Sequence, residues 1–72
     1  MFIPLMNDRG ERIYVNMMLV QCLMPFDATH ADSYERRCRS EISCAGGYYR
    51  VRETVEEIIA LVEQAHQRPE TP

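Results

Sequence analysis

The sequence contains no lysine and no long apolar run, and its number of cysteines is odd. All eight basic residues are arginine, which we attribute to genome composition rather than to chemistry. No apolar run approaches the roughly 20 residues that a membrane-spanning helix needs. A signal peptide has a basic segment before its apolar region, and the apolar start of this chain has none. The three cysteines, Cys22, Cys38 and Cys44, argue against a disulfide framework. We therefore expect a cytoplasmic protein that is not inserted in a membrane.

Recognisable catalytic and cofactor motifs are also missing. The Gly46-Gly47 pair precedes a predicted strand and not a helix, so it does not form a phosphate-binding loop. Asp27, His30 and Asp32 are metal-ligand types at short spacing, but we interpret them as part of a solvated loop. No Ser–His–Asp or Cys–His set has a recognisable context. We therefore predict no enzyme activity, no cofactor and no metal site.

The length sets the domain organisation. A chain of 72 residues allows one domain, and we predict that it covers residues 1–68, with a flexible loop at residues 25–36 and a disordered tail at residues 69–72. A domain of this size buries only roughly 60% of the surface of its unfolded chain. Its core is therefore marginal, and small domains of this kind commonly gain stability from a partner subunit.

The clearest predicted element is a C-terminal helix. Thr54 and Glu57 are spaced as a capping box, in which each side chain accepts a hydrogen bond from the backbone N–H of the other. Apolar residues then recur at helical spacing. The predicted stripe consists of Val55, Ile58, Ile59, Val62 and Ala65, with Leu61 on its flank. Pro69 ends the helix.

Strands are predicted upstream of this helix. Gly46-Gly47 suits a tight hairpin turn, and the register that this turn implies places Glu41 opposite Arg52 and Ile42 opposite Val51. Short strands are also predicted over residues 2–6, 12–15 and 19–24, the first confined to a sheet edge by its proline. The fold class is therefore α+β, a small antiparallel meander of about five strands with one C-terminal helix packed on one face.

One face of the predicted hairpin is rich in arginine. Residues 36–52 hold five arginines and a single glutamate. The residues that we assign to a partner or nucleic-acid surface are Arg37, Arg39, Tyr48, Arg50 and Arg52. The acidic overall balance, with an isoelectric point near 5.2, weighs against nucleic acid. A solvated face or a subunit contact is the competing interpretation.

The segment before the polar loop is apolar on both of its predicted faces. Val20, Cys22 and Met24 lie on one face of this strand, and Leu19 and Leu23 lie on the other. A strand of this kind in so small a domain indicates that one face meets another chain. The predicted oligomer interface consists of Leu19, Leu23, Met17 and Met18, in a dimer or a higher assembly.

Several of these residues follow one order along the chain. The turn glycine Gly10 is followed by Tyr14-Val15-Asn16, by Leu19-Val20, by the Gly46-Gly47 hairpin and by the segment Val51-Arg52-Glu53-Thr54-Val55-Glu56-Glu57-Ile58-Ile59. This order resembles the FlbD/SwrD type of small bacterial flagellar-operon proteins over most of residues 3–64. The resemblance implies a cytoplasmic, non-enzymatic accessory protein that acts by protein contact. The connection at residues 25–36 and the arginine-rich strand depart from that pattern.

Three functional hypotheses follow. The first is a small adaptor or regulatory protein that self-associates and acts through protein contacts, with a link to motility. The second is a phage or mobile-element inhibitor that binds a host complex, either as an anti-CRISPR-like protein or as a transcription regulator. The third is a nucleic-acid-binding module that uses the arginine-rich face. The sequence does not identify the protein partner.

Overall fold

The computed structural model describes residues 1–67, which form five strands and one helix. The strands are β1 (Phe2–Met6), β2 (Arg12–Asn16), β3 (Val20–Pro25), β4 (Ser40–Cys44) and β5 (Gly47–Val51), and the helix is α1 (Val55–Gln67). Single 3-10 turns cover Met17–Leu19 and Glu35–Arg37. The predicted α+β class is confirmed. The predicted tail at residues 69–72 lies outside the described residues.

The five strands are divided between two antiparallel sheets. One sheet contains β1 and β2, and the other contains β3, β4 and β5 in sequence order. An antiparallel bridge between Asn7 and Val51 joins the two sheets, and the Arg52 N–H donates to the Met6 carbonyl at 2.8 Å beside it. The end of β5 therefore meets the end of β1.

Both sheets and the helix contribute to one hydrophobic core. Its buried members are Ile3, Leu5, Val15, Ile42, Val51 and Ile58. Leu61, Val62 and Ala65 of α1 pack against this cluster, but Ile59, which was predicted to belong to the apolar stripe, is 46% exposed. The buried stripe runs from Ile58 at spacings of three, four and seven residues, so Ile59 lies beside it on the helix surface.

The start of α1 is fixed by the predicted capping box. The Glu57 N–H donates to the Thr54 hydroxyl at 3.1 Å, and the Thr54 N–H donates to the Glu57 carboxylate at 2.9 Å. The preceding residue, Glu53, accepts the Met6 N–H with both carboxylate oxygens, at 3.0 and 3.1 Å. The helix start is thereby attached to β1.

The hairpin between β4 and β5 has a register two residues away from the predicted one. Cys44 lies opposite Gly47, so residues 45 and 46 form the turn, and Glu41 lies opposite Arg50 and not Arg52. Gly47 has a φ of 148°, a conformation that favours glycine. Because the shift is by an even number of residues, each side chain stays on its predicted face. Tyr49 is nevertheless 54% exposed at the end of the core-facing side.

The predicted faces of β3 are wrong, because the strand contains a β-bulge. Val20 lies opposite Cys44 and Cys22 lies opposite Ser43, so one extra residue separates them on β3. Val20 and Leu23 consequently both pack against the core, whereas Cys22 is exposed. The bulge therefore places the two core-contacting residues of β3 on the same side of the strand.

Candidate functional site

The principal concave surface of the structure is a groove between the two sheets. It has a volume of about 680 Å³, and its walls come from β2 and the 3-10 turn after it on one side and from the β4–β5 hairpin on the other. Large apolar and aromatic side chains dominate this lining. Those that are more than half exposed are Phe2, Tyr14, Leu19, Tyr48 and Tyr49. We call this surface the aromatic groove.

The alternation of β2 places one aromatic ring of the groove. Val15 is buried in the core and Ile13 packs against it, so Tyr14 between them points to the other face and is 66% exposed. The turn that follows is capped by Asn16, whose side chain accepts the Met18 N–H at 3.1 Å. The capped turn leaves both Met18 and Leu19 exposed.

Arg50 forms the polar end of the groove. Its guanidinium lies over two rings, with its central carbon 4.4 Å from the centre of the Phe26 ring and 4.9 Å from that of Tyr48. It also forms ion pairs with Glu35 and, at 3.2 Å, with Glu41. We call these five residues the Arg50 cluster. The cluster attaches the segment at residues 25–36 to the hairpin, and the predicted flexibility of that segment stays a prediction.

The electrostatics of the Arg50 cluster are internally balanced. The hydrogen bond to Glu35 raises the pKa of Arg50 above its ordinary value, and the hydrogen bond to Glu41 adds to this effect. Two carboxylates therefore surround one guanidinium, which leaves little positive potential for an external anion. Arg50 organises the surface around it.

The other arginines of the predicted surface lie apart from Arg50. Arg52 donates to the Asp8 carbonyl at 3.1 Å and lies over the β1–β2 turn. Arg37 is in the 3-10 turn before β4, and Arg39 donates to the Arg36 and Cys38 carbonyls at 3.2 and 3.1 Å. The structure brings Tyr48 and Arg50 into contact, whereas Arg37, Arg39 and Arg52 are not part of the Arg50 cluster, and their role in a common surface remains a prediction.

The four residues of the predicted oligomer interface have different environments. Met17 and Leu23 pack against the core. Met18 and Leu19 are 79% and 64% exposed, and they lie in the turn rather than in a strand. The interface remains a prediction, but Met18 and Leu19 are the two of these side chains that are available to it.

The Cys38 thiol and the loop carboxylates have local environments that are typical of structural residues. Burial raises the pKa of the Cys38 thiol above its ordinary value, with the negative charges of Asp8 and Glu35 adding to the effect. The Asp27 carboxylate accepts from the Thr29 hydroxyl and N–H, and these bonds lower its pKa. Asp32 accepts two N–H groups of the following turn. Over residues 1–67, no group of three or more His, Cys, Asp or Glu side chains is placed to hold a metal ion.

Several residues of this surface were not predicted from the sequence. Phe26 and Glu35 are far from Arg50 in sequence, and no local pattern links them to it. Phe2 and Tyr14 had a usable signal, because each alternates with buried neighbours in a strand. An aromatic residue at the outward position of a strand in so small a domain marks exposed apolar surface.

Comparisons with known proteins give no relative. No family model matches this sequence, and neither a curated protein nor a solved structure matches it. Within the part of the chain that the structure describes, no helix is long and apolar enough to cross a bilayer.

Proposed function

We propose that this protein is a small non-enzymatic regulatory protein that acts by binding another protein in the aromatic groove. The observation that carries the proposal is the concentration of half-exposed aromatic rings around one concavity. Tyr14, Tyr48 and Tyr49 are each more than half exposed and line the same groove. Tyrosine is enriched at the energetically dominant positions of protein interfaces, where its ring packs against apolar surface and its hydroxyl finds a polar partner.

The polar lining of the groove supports a binding role over a catalytic one. Arg50 and Glu35 are satisfied by one another and by the rest of the Arg50 cluster. Catalytic sites, in contrast, commonly hold a group whose pKa is tuned toward neutrality. The pKa of Arg50 is raised, away from neutrality, and the largest cause is its hydrogen bond to Glu35. This arrangement is typical of a preorganised protein-binding surface.

A quantitative capture experiment tests the proposal. The protein is immobilised and exposed to a lysate of its source cells, and Tyr49→Ser is compared with the unchanged chain. Because a central aromatic contact contributes about 2 kcal/mol or more, Tyr49→Ser is expected to reduce recovery of the specific partner more than about tenfold.

Ile59→Ser is the matched control for this capture. Ile59 is 46% exposed and lies on α1, and it does not line the groove. The control is expected to retain the partner. Equal recovery by all three proteins, or equal losses by both variants, would contradict the proposal.

The cellular setting that we propose is the cytoplasm, with a motility-associated partner as the first expectation and a host complex bound by a phage or mobile-element protein as the alternative. The identity of the captured partner separates the two. Flagellar components support the first setting, and a defence or transcription complex supports the second.

Nucleic-acid binding is a second candidate, favoured by one observation. Arg36, Arg37 and Arg39 are all exposed on the segment that leads into β4. Within residues 1–67, none of these three forms an ion pair with a carboxylate. A binding site built on them predicts an affinity that falls steeply with salt. The test is a titration with single- and double-stranded probes at low salt, in which Arg37→Gln with Arg39→Gln removes binding. Absence of binding by the unchanged chain eliminates this candidate.

A further inference from the structure

The backbone of β2 has a defined orientation. The Met6 N–H donates to Glu53, and its carbonyl accepts from Arg52, so both groups point away from β2. At the other end of the pair, the Met17 N–H donates to the Met1 carbonyl. Because hydrogen-bonded and non-hydrogen-bonded pairs alternate in an antiparallel ladder, alternate residues of β2 direct their backbone groups away from β1. These residues are Arg12, Tyr14 and Asn16.

The outer edge of β2 lacks the usual protection of a strand edge. Among residues 1–67, no strand pairs with it. The free edge of β1 contains Pro4 and is covered at Met6. The edge of β3 has a bulge and ends at Pro25. Prolines, bulges and covering contacts are the devices that prevent one strand edge from pairing with another, and β2 has none of them.

We propose that a second copy of this chain occupies this edge, with the two β2 strands pairing antiparallel about a two-fold axis at Tyr14. The inference rests on the proposed function: the second copy takes the β2 side of the aromatic groove, and Tyr48 and Tyr49 on the hairpin side remain for the partner protein. Tyr14 of each copy then lies opposite Tyr14 of the other, and Arg12 lies opposite Asn16. The two-fold axis generates the Arg12–Asn16 pair twice, so three residue pairs form in all. Each pair exchanges two backbone hydrogen bonds, because the N–H and C=O groups of these residues point away from β1.

The charges of β2 are compatible with this self-pairing. Like charges directly opposite one another destabilise a strand pair, and the two-fold register places the Arg12 guanidinium opposite a neutral amide. On the same face, Arg12 is a diagonal neighbour of Tyr14 of the second copy, within reach of a long side chain. A guanidinium beside a tyrosine ring is a favourable contact. The edge is therefore self-complementary.

The exposed apolar area supports the same occupant. Tyr14 in β2 is 66% exposed, and Leu19 in the turn that follows β2 is 64% exposed, so each copy has large apolar side chains on or directly after the strand that pairs. Pairing also converts a two-stranded sheet, which is marginal by itself, into a four-stranded one.

A charge placed on the two-fold axis tests the register. Tyr14→Lys brings two ammonium groups face to face, so we expect the dimer to dissociate at concentrations at least tenfold higher than the unchanged chain requires, as measured by sedimentation velocity over a dilution series. Ile59→Lys, on α1, is the control and is expected to leave the dimer unchanged. An equimolar mixture of Tyr14→Lys and Tyr14→Glu is expected to restore association, because opposite charges then meet on the axis.

A cysteine on the axis tests the geometry without depending on stability. Hydrogen-bonded antiparallel pairs have Cα atoms about 5.5 Å apart, which is within disulfide range. In a Cys22→Ser background, Tyr14→Cys is therefore expected to cross-link to itself under mild oxidation. Arg12→Cys is the matched control, because the two copies of Arg12 are separated by about four residues of strand, or about 13 Å.

Each result decides the inference. A dimer that Tyr14→Lys weakens and Tyr14→Cys cross-links supports it. A monomer at near-millimolar concentration, a dimer insensitive to Tyr14→Lys, or equal cross-linking by Arg12→Cys would overturn it. If the chain is a monomer whose β2 resonances shift only when a captured partner is added, the edge takes a foreign strand. The inference then fails while the proposed function, tested by Tyr49→Ser, stands.

Discussion

The outer surfaces of the two sheets differ in their side-chain contacts. The three-stranded sheet has the Arg50 cluster, in which two carboxylates and two aromatic rings surround one guanidinium. The two-stranded sheet has no corresponding cluster among the described residues, and Phe2 and Tyr14 are 65% and 66% exposed on it. The three-stranded sheet therefore holds charged and aromatic side chains together by contacts within the chain. The two-stranded sheet presents exposed rings, which we propose are covered by another chain.

The difference shows that, in a domain of 72 residues, some surface side chains form contacts within the chain while others remain exposed. Both sheets contribute to the same core, so the difference is confined to the surface. The ion pairs are concentrated where the long connection between β3 and β4 returns to the three-stranded sheet. The short connection between β1 and β2 has its own hydrogen bonds around the Asn7 side chain, but the rings on its sheet remain exposed.

The largest expected effects test whether the two sheets share one core. Leu5 in β1 and Ile42 in β4 are both fully buried, so Leu5→Ala and Ile42→Ala should each lower the free energy of unfolding by about 2–5 kcal/mol. Thermal or urea unfolding at fixed protein concentration measures both. Ile59→Ala, at a half-exposed site, should cost less than either. Two separate unfolding transitions in either core variant would show that the sheets fold independently.

The next effect tests the Arg50 cluster. Arg50→Met should lower the free energy of unfolding by about 1–2 kcal/mol, because it leaves Glu35 and Glu41 without their shared cation and their side chains are only about one-fifth exposed. Arg50→Lys should recover part of the loss, since an ammonium retains charge but not the planar stacking on Phe26 and Tyr48. Urea unfolding measures both variants. Full recovery by lysine would show that the stacking contributes nothing.

A smaller effect tests the hydrogen bond that caps the start of α1. Thr54→Ala removes the hydroxyl that caps the Glu57 N–H, and it should cost about 1 kcal/mol of unfolding free energy. Thr54→Ser keeps the hydroxyl and should restore most of that loss in the same urea titration. If Thr54→Ala and Thr54→Ser behave alike, the cap is not what fixes the start of α1.

The smallest effect near neutral pH tests the Cys38 thiol, which lies in the field of Asp8 from one sheet and Glu35 from the approach to the other. Its pKa is raised in the folded state, so the unfolded chain loses this proton first as pH rises. The contribution of the thiol to stability is complete below the unfolded pKa of about 8.5 and declines above it. Urea unfolding from pH 7 to 10 should show this decline in Cys22→Ser and not in Cys38→Ala.

The sequence predicted the local features of this fold and missed the long-range ones. The capping box of Thr54 and Glu57 was predictable because both partners lie within one helical turn. The hairpin register was not, since Arg50 and Arg52 are two residues apart and either could lie opposite Glu41 as its partner of opposite charge. Phe26 and Glu35 meet Arg50 only through the folded chain, which no spacing rule describes. The bulge in β3 left no recognisable signal, because apolar residues lie on both predicted faces of this segment.

The meeting point of the two sheets has a consequence for how the native state opens. The amides of Met6 and Arg52 donate across this junction, to Glu53 and to the Met6 carbonyl. Each sheet is otherwise closed by hydrogen bonds between neighbouring segments of the chain, which form quickly and locally. Separation of the sheets therefore releases these two protons to solvent while the ladders within each sheet remain intact. Their hydrogen-exchange rates report how often the sheets part, and slower exchange in the ladders reports the rarer opening of the hairpins themselves.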